Sequence, residues 1–157
     1  MIYQLTGEYE LKMDAKGRVK LPANLLKQLN TTGSYDFVIN RGHEKNLILY
    51  PHDVWEKKTK QLSHLDINIE KIRKAVRYFF RGATKVTSDG SERILLPKPL
   101  IQYAGIEKEV VLLAFMDQIE IWSREEYGRM IEEEPSSLGA LSEQLNAASQ
   151  SSSQEDE

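Results

Sequence analysis

The chain has 157 residues and contains no cysteine. This absence excludes disulfide frameworks, thiolate zinc sites, iron–sulfur ligation and cysteine nucleophiles, and it fits a reducing environment. Long apolar runs are also missing: none approaches the roughly 18 residues of a membrane-spanning helix. The first residues lack the basic start and apolar stretch of a signal peptide. We therefore expect a protein of the cytoplasm with no membrane partner.

The C-terminal region lacks positive charge. Seven of the 24 acidic residues, and none of the 21 Lys and Arg residues, follow residue 131, so residues 1–131 carry a net charge of +4. A mildly basic body indicates a polyanion partner only if its charge is clustered. After Pro135 the chain is rich in Ser, Gln, Asn, Ala and acidic residues, which predicts a disordered tail. Leu138, Leu141 and Leu145 leave a weak helix as the alternative.

Signatures of catalysis are absent as well. His43, His52 and His64 stand 9 and 12 residues apart, without a His-x-x-x-His pair. The sequence has no Gly-x-Ser-x-Gly elbow, no phosphate-binding loop and no dinucleotide fingerprint. We therefore predict that the protein is not an enzyme and has no metal site and no cofactor.

What the sequence does contain is an internal repeat. Residues 14–22 match residues 89–97 at a constant offset of 75, with the shared frame Asp-x-x-x-Arg-(Val/Ile)-x-Leu-Pro. The match continues downstream: Leu25 pairs with Leu100, Phe37–Ile39 with Val110–Leu113, and Leu47–Tyr50 with Ile119–Trp122 after a three-residue deletion. The repeat either preserves a structural turn alone or also forms a working surface.

Both repeats have the same predicted elements. Alternating side chains over Glu8–Met13 predict a half-buried strand, Asp14–Gly17 a hairpin turn, and Arg18–Leu21 the return strand. A short helix, two apolar strands and a closing helix follow. The predicted helices cover Pro22–Leu29, Pro51–Leu62, Asn68–Phe80, Pro97–Ala104 and Ser123–Glu133, the last with a Ser-x-x-Glu capping box.

The repeats divide the chain into four segments. We expect a first repeat over residues 1–64, a linking helix over 65–82, a second repeat over 83–134 and an acidic, Ser-rich, disordered tail over 135–157. The linking helix combines helical spacing of apolar residues with much of the positive charge. Its basic residues are Lys71, Arg73, Lys74 and Arg77, followed by Arg81.

The first hairpin is the strongest candidate for a binding surface. Lys12, Lys16, Arg18 and Lys20 occupy even positions, so that the basic side chains of each strand share one face. Arg18 is suited to donate two parallel hydrogen bonds to guanine O6 and N7, while Lys16 and Lys20 suit phosphates. Asp14 is placed to orient the Arg18 guanidinium. The alternative is a surface salt bridge that contributes little, and the residues alone do not separate the two.

The doubled frame resembles the MraZ family and, more distantly, AbrB-type transition-state regulators. The likeness extends through Gly7–Glu10, Tyr50–Pro51, Arg77–Ala83 and Glu120–Trp122. It implies an α+β fold in which tandem repeats form a swapped-hairpin, AbrB-like β-barrel with short helices and a helix linking the two halves. It also implies a cytoplasmic, nucleoid-associated repressor of its own division and cell-wall gene cluster. Such a regulator binds short direct repeats in promoter DNA as a ring-shaped homo-oligomer.

Carried over by position, the DNA-contacting motif of the family falls on Asp14, Arg18, Asp89 and Arg93. The two copies are not equivalent. Glu92 stands where the family usually has glycine, as at Gly17, and Ser91 stands at the position of Lys16. Because Glu92 puts a negative charge beside Arg93, we expect the first repeat to carry most of the DNA affinity.

Two other functions stay open. A non-enzymatic oligomeric scaffold would use the same hairpins to bind a protein partner. A small barrel enzyme would need a catalytic arrangement that the sequence does not show. Substitution of Arg18 by alanine separates regulator from scaffold, because only a regulator loses DNA binding and keeps its oligomeric state.

Overall fold

A computed structural model describes residues 3–29, 35–133 and 137–155, which form a mixed α+β fold. The strands are β1 (Leu5–Lys12), β2 (Arg18–Lys20), β3 (Asp36–Arg41), β4 (Leu47–Pro51), β5 (Thr84–Thr87), β6 (Arg93–Leu95), β7 (Glu109–Met116) and β8 (Gln118–Ser123). The helices are α1 (Ala23–Gln28), α2 (His52–Leu62), α3 (Glu70–Phe80), α4 (Lys98–Ala104), α5 (Arg124–Glu133) and α6 (Leu138–Glu155). None of the described helices is long and apolar enough to cross a membrane.

Each repeat folds into the same order of elements: two strands, a helix, two strands and a helix. The first repeat supplies β1, β2, α1, β3, β4 and α2, and the second supplies β5, β6, α4, β7, β8 and α5, with α3 between them. Proline at the start of α1 and α4 ends the preceding strand in both copies. The predicted elements of both repeats are confirmed to within a few residues at each end.

The strands of the two repeats interleave in one antiparallel sheet of order β1-β7-β8-β4-β3-β5. The first strand of each repeat pairs with the third strand of the other, since β1 pairs with β7 and β5 pairs with β3. The sheet is not closed, because β1 and β5 are its two edges among the described residues. The described residues up to Tyr127 accordingly form one compact unit that contains all eight of these strands.

The pairing predicted for the hairpins is wrong. The strands on either side of each turn do not form a ladder with each other in the described chain: β1 lies in the large sheet, whereas β2 pairs with β6 in a separate two-stranded sheet. The physical reason is that β2 and β6 are short. β2 and β6 have three residues each before a Leu-Pro step, and each completes its hydrogen bonds with the equivalent strand of the other repeat.

Equivalent apolar residues of the two repeats share one core. Val19 and Ile94, at the centre of β2 and β6, have no exposed surface. Leu25 on α1 and Leu100 on α4 are also buried, as expected from their equivalent positions in the repeat. Buried side chains of both repeats therefore attach the two-stranded sheet to the core. This sheet in turn positions the loops that precede β2 and β6.

Helix α3 is anchored at its C-terminal end. Phe79 stacks on Trp55 with ring centroids 5.3 Å apart, and Asn40 Nδ2 donates to the Phe79 carbonyl at 2.6 Å. Arg41 donates to the carbonyls of Tyr78 and Arg81, which the end of a helix leaves without partners. None of the eleven residues of α3 is buried by the described part of the chain. Ile72, Val76 and Phe79 on this helix are half-buried, whereas Tyr78 and Phe80 are exposed.

The structure differs from the predicted disordered tail. Leu138–Glu155 forms helix α6, which begins where Ser137 Oγ accepts the Ala140 N–H at 3.2 Å. Ala, Leu, Gln and Glu favour a helix even though few of these residues are covered. The described residues from Gly128 onward form a compact unit of their own, and the predicted limits of the tail, at 135 and 157, lie outside the described residues.

Candidate functional site

The first loop, Asp14–Arg18, is closed by the Asp14 carboxylate. Asp14 Oδ1 accepts the backbone N–H groups of Lys16 at 3.0 Å and Arg18 at 2.9 Å. Asp14 Oδ2 accepts Arg18 Nε–H at 2.8 Å. The Gly17 N–H returns to the Asp14 carbonyl at 3.0 Å. One carboxylate therefore shapes the backbone of the loop and fixes the direction of the Arg18 side chain.

The second loop, Asp89–Arg93, repeats this geometry. Asp89 Oδ1 accepts the backbone N–H groups of Ser91 at 2.8 Å and Arg93 at 3.0 Å, and Asp89 Oδ2 accepts Arg93 Nε–H at 2.9 Å. The Glu92 N–H returns to the Asp89 carbonyl at 3.0 Å. The Asp-x-x-x-Arg frame thus specifies one local structure in both repeats.

The two loops meet at the β2–β6 sheet. Its register pairs Arg18 with Leu95, Val19 with Ile94 and Lys20 with Arg93. The Leu21 N–H donates to the Glu92 carbonyl, and the Leu96 N–H donates to the Gly17 carbonyl, both at 2.9 Å. These bonds join corresponding positions of the two repeats, so the loops are related by a local twofold arrangement. The sequence placed the loops 75 residues apart, and the fold brings them together.

One face of this sheet is exposed and mostly basic. Residues directly opposite each other in an antiparallel pair point to the same face, which places Arg18, Lys20, Arg93 and Leu95 together, with Val19 and Ile94 on the buried face. We call these four residues the ribbon face; Lys20 and Leu95 are exposed, and Arg18 and Arg93 are half-buried. Lys16, in the first loop, is also exposed.

The carboxylates remain charged beside the arginines. The backbone N–H of Arg18 holds the pKa of the Asp14 carboxyl below its usual value, and the Arg18 guanidinium adds to this effect. The backbone N–H of Arg93 acts in the same way on the pKa of Asp89. Arg93 Nη1 also lies 4.0 Å from Asp14 Oδ2, so that Asp14 lies between arginines of both repeats. Each loop keeps its geometry at neutral pH.

Each arginine has a guanidinium edge that does not bond its own loop aspartate. Each uses Nε, but not its terminal nitrogens, in the hydrogen bond to its own loop aspartate. The side chains are 28% exposed at Arg18 and 32% at Arg93. A guanidinium held by Nε still presents donors at its terminal edge, in the planar arrangement that matches two acceptors.

Gly17 and Glu92 occupy the same left-handed position in the two loops, with φ of +86° and +62°. A Cβ at Gly17 would lie no closer than 3.4 Å to its nearest neighbour, the Ile101 side chain. The obstacle to a side chain is therefore backbone conformation and not space. The sequence shows Glu92 only as an extra negative charge; the structure adds that this residue is strained.

Glu92→Gly is expected to stabilise the protein by about 1 kcal/mol, because glycine adopts positive φ without the steric penalty of a Cβ. Glu92→Gln is the matched control, since it removes the charge and keeps the strain. Urea unfolding followed by circular dichroism measures both. A Glu92→Gly midpoint at or below that of the unchanged protein would contradict the strain at this position.

The predicted site residues fall into two groups. Asp14, Arg18, Asp89 and Arg93 form the two loops, and Lys20 lies opposite Arg93 on the ribbon face. Lys16 is exposed beside them, whereas Lys12 lies in the large sheet, opposite Glu109. Leu95 is the member of the ribbon face that the sequence analysis did not select. The repeat could have identified Leu95, because Leu95 stands at the position equivalent to the predicted site residue Lys20.

Other groups of polar residues lie apart from this site. Tyr3 Oη donates to the Asp53 carboxylate at 2.9 Å, at the wall of a cavity of about 490 Å³ that Lys57 and Lys58 also line. His52 Nε2 lies 2.9 Å from Glu56 Oε1 within α2. Among the described residues, no group of three or more His, Cys, Asp or Glu side chains is placed to hold a metal ion.

Known proteins resemble this chain over most of its length. The family model described as "MraZ protein, putative antitoxin-like" matches residues 4–77 and 79–149, and each range contains one of the two loops. The chain is similar to several curated proteins named transcriptional regulator MraZ. That of Christiangramia forsetii is 37% identical over 142 residues, covering 90% of this chain and 92% of the relative.

Two further relatives carry the same name. The protein of Halothermothrix orenii is 39% identical over 122 residues, covering 78% of this chain and 82% of the relative. The protein of Syntrophomonas wolfei subsp. wolfei is 34% identical over 139 residues, covering 88% and 94%. Because the family model matches most of this chain and the relatives are 34–39% identical to it, the chain belongs to the MraZ family of transcriptional regulators.

Proposed function

We propose that the protein is a sequence-specific, double-stranded DNA-binding transcriptional regulator that reads short direct repeats through its two Asp-x-x-x-Arg loops. The observation that carries this proposal is the ribbon face, where Arg18 and Arg93 lie on one two-stranded sheet and each is held by an aspartate. The family to which the chain belongs is a class of regulators and not of enzymes.

The dimensions of a two-stranded ribbon suit the major groove of B-DNA. Arg18 approaches a guanine with its terminal nitrogens and donates to O6 and N7, while Asp14 keeps the guanidinium in position. Lys16 and Lys20 contact phosphates on either side and supply affinity that falls with salt concentration. Holding the arginine before binding limits the side-chain entropy that is lost on contact.

The chemistry of the ribbon face is asymmetric although its backbone is nearly twofold. The first repeat presents Arg18 and Lys20, whereas the second presents Arg93 and Leu95, with the acidic Glu92 beside Arg93. A twofold chemical surface suits a palindrome. An asymmetric surface suits a site with a direction, and several such sites in line are direct repeats. We propose that the first loop provides most of the affinity.

We propose further that the chain acts as a ring-shaped homo-oligomer. One ribbon face offers few basic residues, and these lie beside Asp14, Asp89 and Glu92, so that binding by a single protomer is weak. Several linked protomers on successive repeats gain affinity through effective concentration. The exposed Ile67 and Ile69, together with the exposed Tyr78 and Phe80 of α3, support contact between copies.

Sedimentation velocity without DNA is expected to give one species several times the mass of a single chain. Ile69→Lys introduces a charge at the exposed apolar edge before α3 and is expected to shift the distribution toward smaller species. Lys71→Ala, an exposed neighbour on the helix, is the control. A monomer at all concentrations would contradict the ring.

The interleaved strands support an AbrB-like, swapped-hairpin arrangement in which one chain supplies both halves. In this view β1 and β5 are the exchanged strands, and α3 is the connection that joins the two halves. We propose a cytoplasmic, nucleoid-associated location and a role as repressor of the division and cell-wall gene cluster that contains its own gene. The location suits action on promoter DNA, whereas repression and the target cluster are what the family resemblance implies.

DNase I footprinting on the DNA upstream of the gene for this protein tests the function. The proposal predicts protected segments of one orientation at a constant spacing. Protection of all sequences alike would reduce the function to nonspecific binding of a polyanion. Absence of protection would favour the alternative of an oligomeric scaffold whose loops bind a protein partner.

A further inference from the structure

Leu95 is an exposed aliphatic side chain in the middle of a polar surface. It is 55% exposed, whereas Ile94 and Leu96, on either side of it, are buried at 0% and 2%. The core therefore does not need Leu95. Its equivalent in the first repeat is Lys20, so the two copies of one fold place a cation and an apolar group at matching positions.

The position of Leu95 ties it to the first loop. It is directly opposite Arg18 in the β2–β6 ladder, on the same exposed face. A Cβ at Gly17 would lie 3.8 Å from Leu95 Cδ1, so the leucine methyl lies near Gly17 of the first loop. Leu95 thus belongs with Arg18 in space, although it comes from the other repeat.

The DNA major groove offers one apolar group on its base edges, the 5-methyl group of thymine. Cross-strand neighbours have Cβ atoms about 5 Å apart, and successive base pairs are about 3.4 Å apart. A ribbon that directs Arg18 to a guanine therefore brings Leu95 within one or two base pairs of it. A phosphate contact is excluded for an aliphatic side chain, and its exposure in the free protein makes it available to the groove.

We infer that Leu95 is a specificity-determining residue that packs against the methyl group of a thymine one or two base pairs from the guanine read by Arg18. This inference rests on the proposed function and deepens it. The asymmetric pair formed by Arg18 and Leu95 also gives the site its direction, because a guanine and a thymine are then read in a defined order.

Replacement of thymine by uracil in the duplex tests the contact, since it removes the 5-methyl group and keeps every base-pairing atom. The unchanged protein and Leu95→Ala are titrated by fluorescence anisotropy onto the upstream duplex made with thymidine and the same duplex made with deoxyuridine. The unchanged protein is expected to bind the deoxyuridine duplex about fourfold more weakly for each contacted methyl group. Leu95→Ala is expected to bind both duplexes alike.

Lys20→Ala is the matched control, because Lys20 holds the equivalent position in the other repeat. It is expected to weaken binding and reduce its salt dependence, and to keep the thymidine preference. The inference is overturned if the unchanged protein binds both duplexes equally, if Leu95→Ala retains the preference, or if Leu95→Ala dissociates the oligomer in sedimentation. Binding to the native duplex over a scrambled one, without methyl dependence, refutes this inference alone; loss of that preference refutes the proposed function too.

Discussion

Arg18→Ala is expected to abolish the preference of the protein for its own upstream DNA while leaving the fold intact. The loss arises because one bidentate contact to guanine accounts for about 10- to 100-fold in discrimination at each repeat. The fold survives because Asp14 accepts two backbone N–H groups that the substitution does not remove. Anisotropy on native and scrambled duplexes measures the preference, and circular dichroism checks the fold.

Two control variants separate geometry from charge. Arg18→Lys keeps the positive charge and loses the planar fork, so that salt-dependent binding persists without sequence preference. Arg124→Ala removes the same charge elsewhere, at a guanidinium that bonds Glu109 Oε2, and is expected to leave the preference unchanged. Retention of the full preference in Arg18→Ala would show that the first loop does not read the bases.

Ile94→Ala is expected to destabilise the protein by about 2 to 5 kcal/mol, the range for removing a large buried aliphatic side chain. Ile94 has no exposed surface and faces the core opposite Val19, under the point where both loops meet. Urea unfolding measures the change. Because the β2–β6 sheet carries both loops, DNA affinity is expected to fall as the folded fraction falls.

The adjacent residue provides the control for this second prediction. Leu95→Ala removes a similar side chain from the opposite face of the same strand, where it is 55% exposed, and is expected to change stability by no more than about 0.5 kcal/mol. Equal destabilisation by both variants would contradict the assignment of a buried and an exposed face to β6.

Much of the local structure was predictable from short stretches of the sequence. Gly105 ends α4 in the left-handed conformation, with φ of +69°, as its position after an apolar helix indicates. Ser123 Oγ accepts the Glu126 N–H at 3.1 Å, as the Ser-x-x-Glu spacing predicts. Each of these features depends on residues close together in the chain, which is why composition and spacing were sufficient to find them.

The partners of the strands were not predictable in the same way. Alternation identifies a strand and its buried face, but it does not tell which strand lies beside it. The chain around Asp14 has all the features of a hairpin turn, yet β1 and β2 lie in different sheets. The other repeat offers β2 an equally complementary partner, and a choice between two such partners is made by the whole fold.

The candidate site was predicted residue by residue and not as an assembly. From the sequence, Asp14 and Arg18 could form either a DNA-contacting pair or a surface salt bridge. The structure shows the same pair at Asp89 and Arg93, with both arginines on one sheet. The approach of Arg93 to Asp14 and the exposure of Leu95 depend on contacts between repeats. Such contacts leave no spacing pattern within either repeat.

The most direct test of the central claim is fluorescence anisotropy of the unchanged protein and Arg18→Ala on the native upstream duplex and a scrambled duplex, each at two salt concentrations. The account predicts that the unchanged protein prefers the native duplex at both salt concentrations, and that Arg18→Ala binds both duplexes equally and weakly. Equal binding of the two duplexes by the unchanged protein, with a steep loss of affinity in salt, would contradict it.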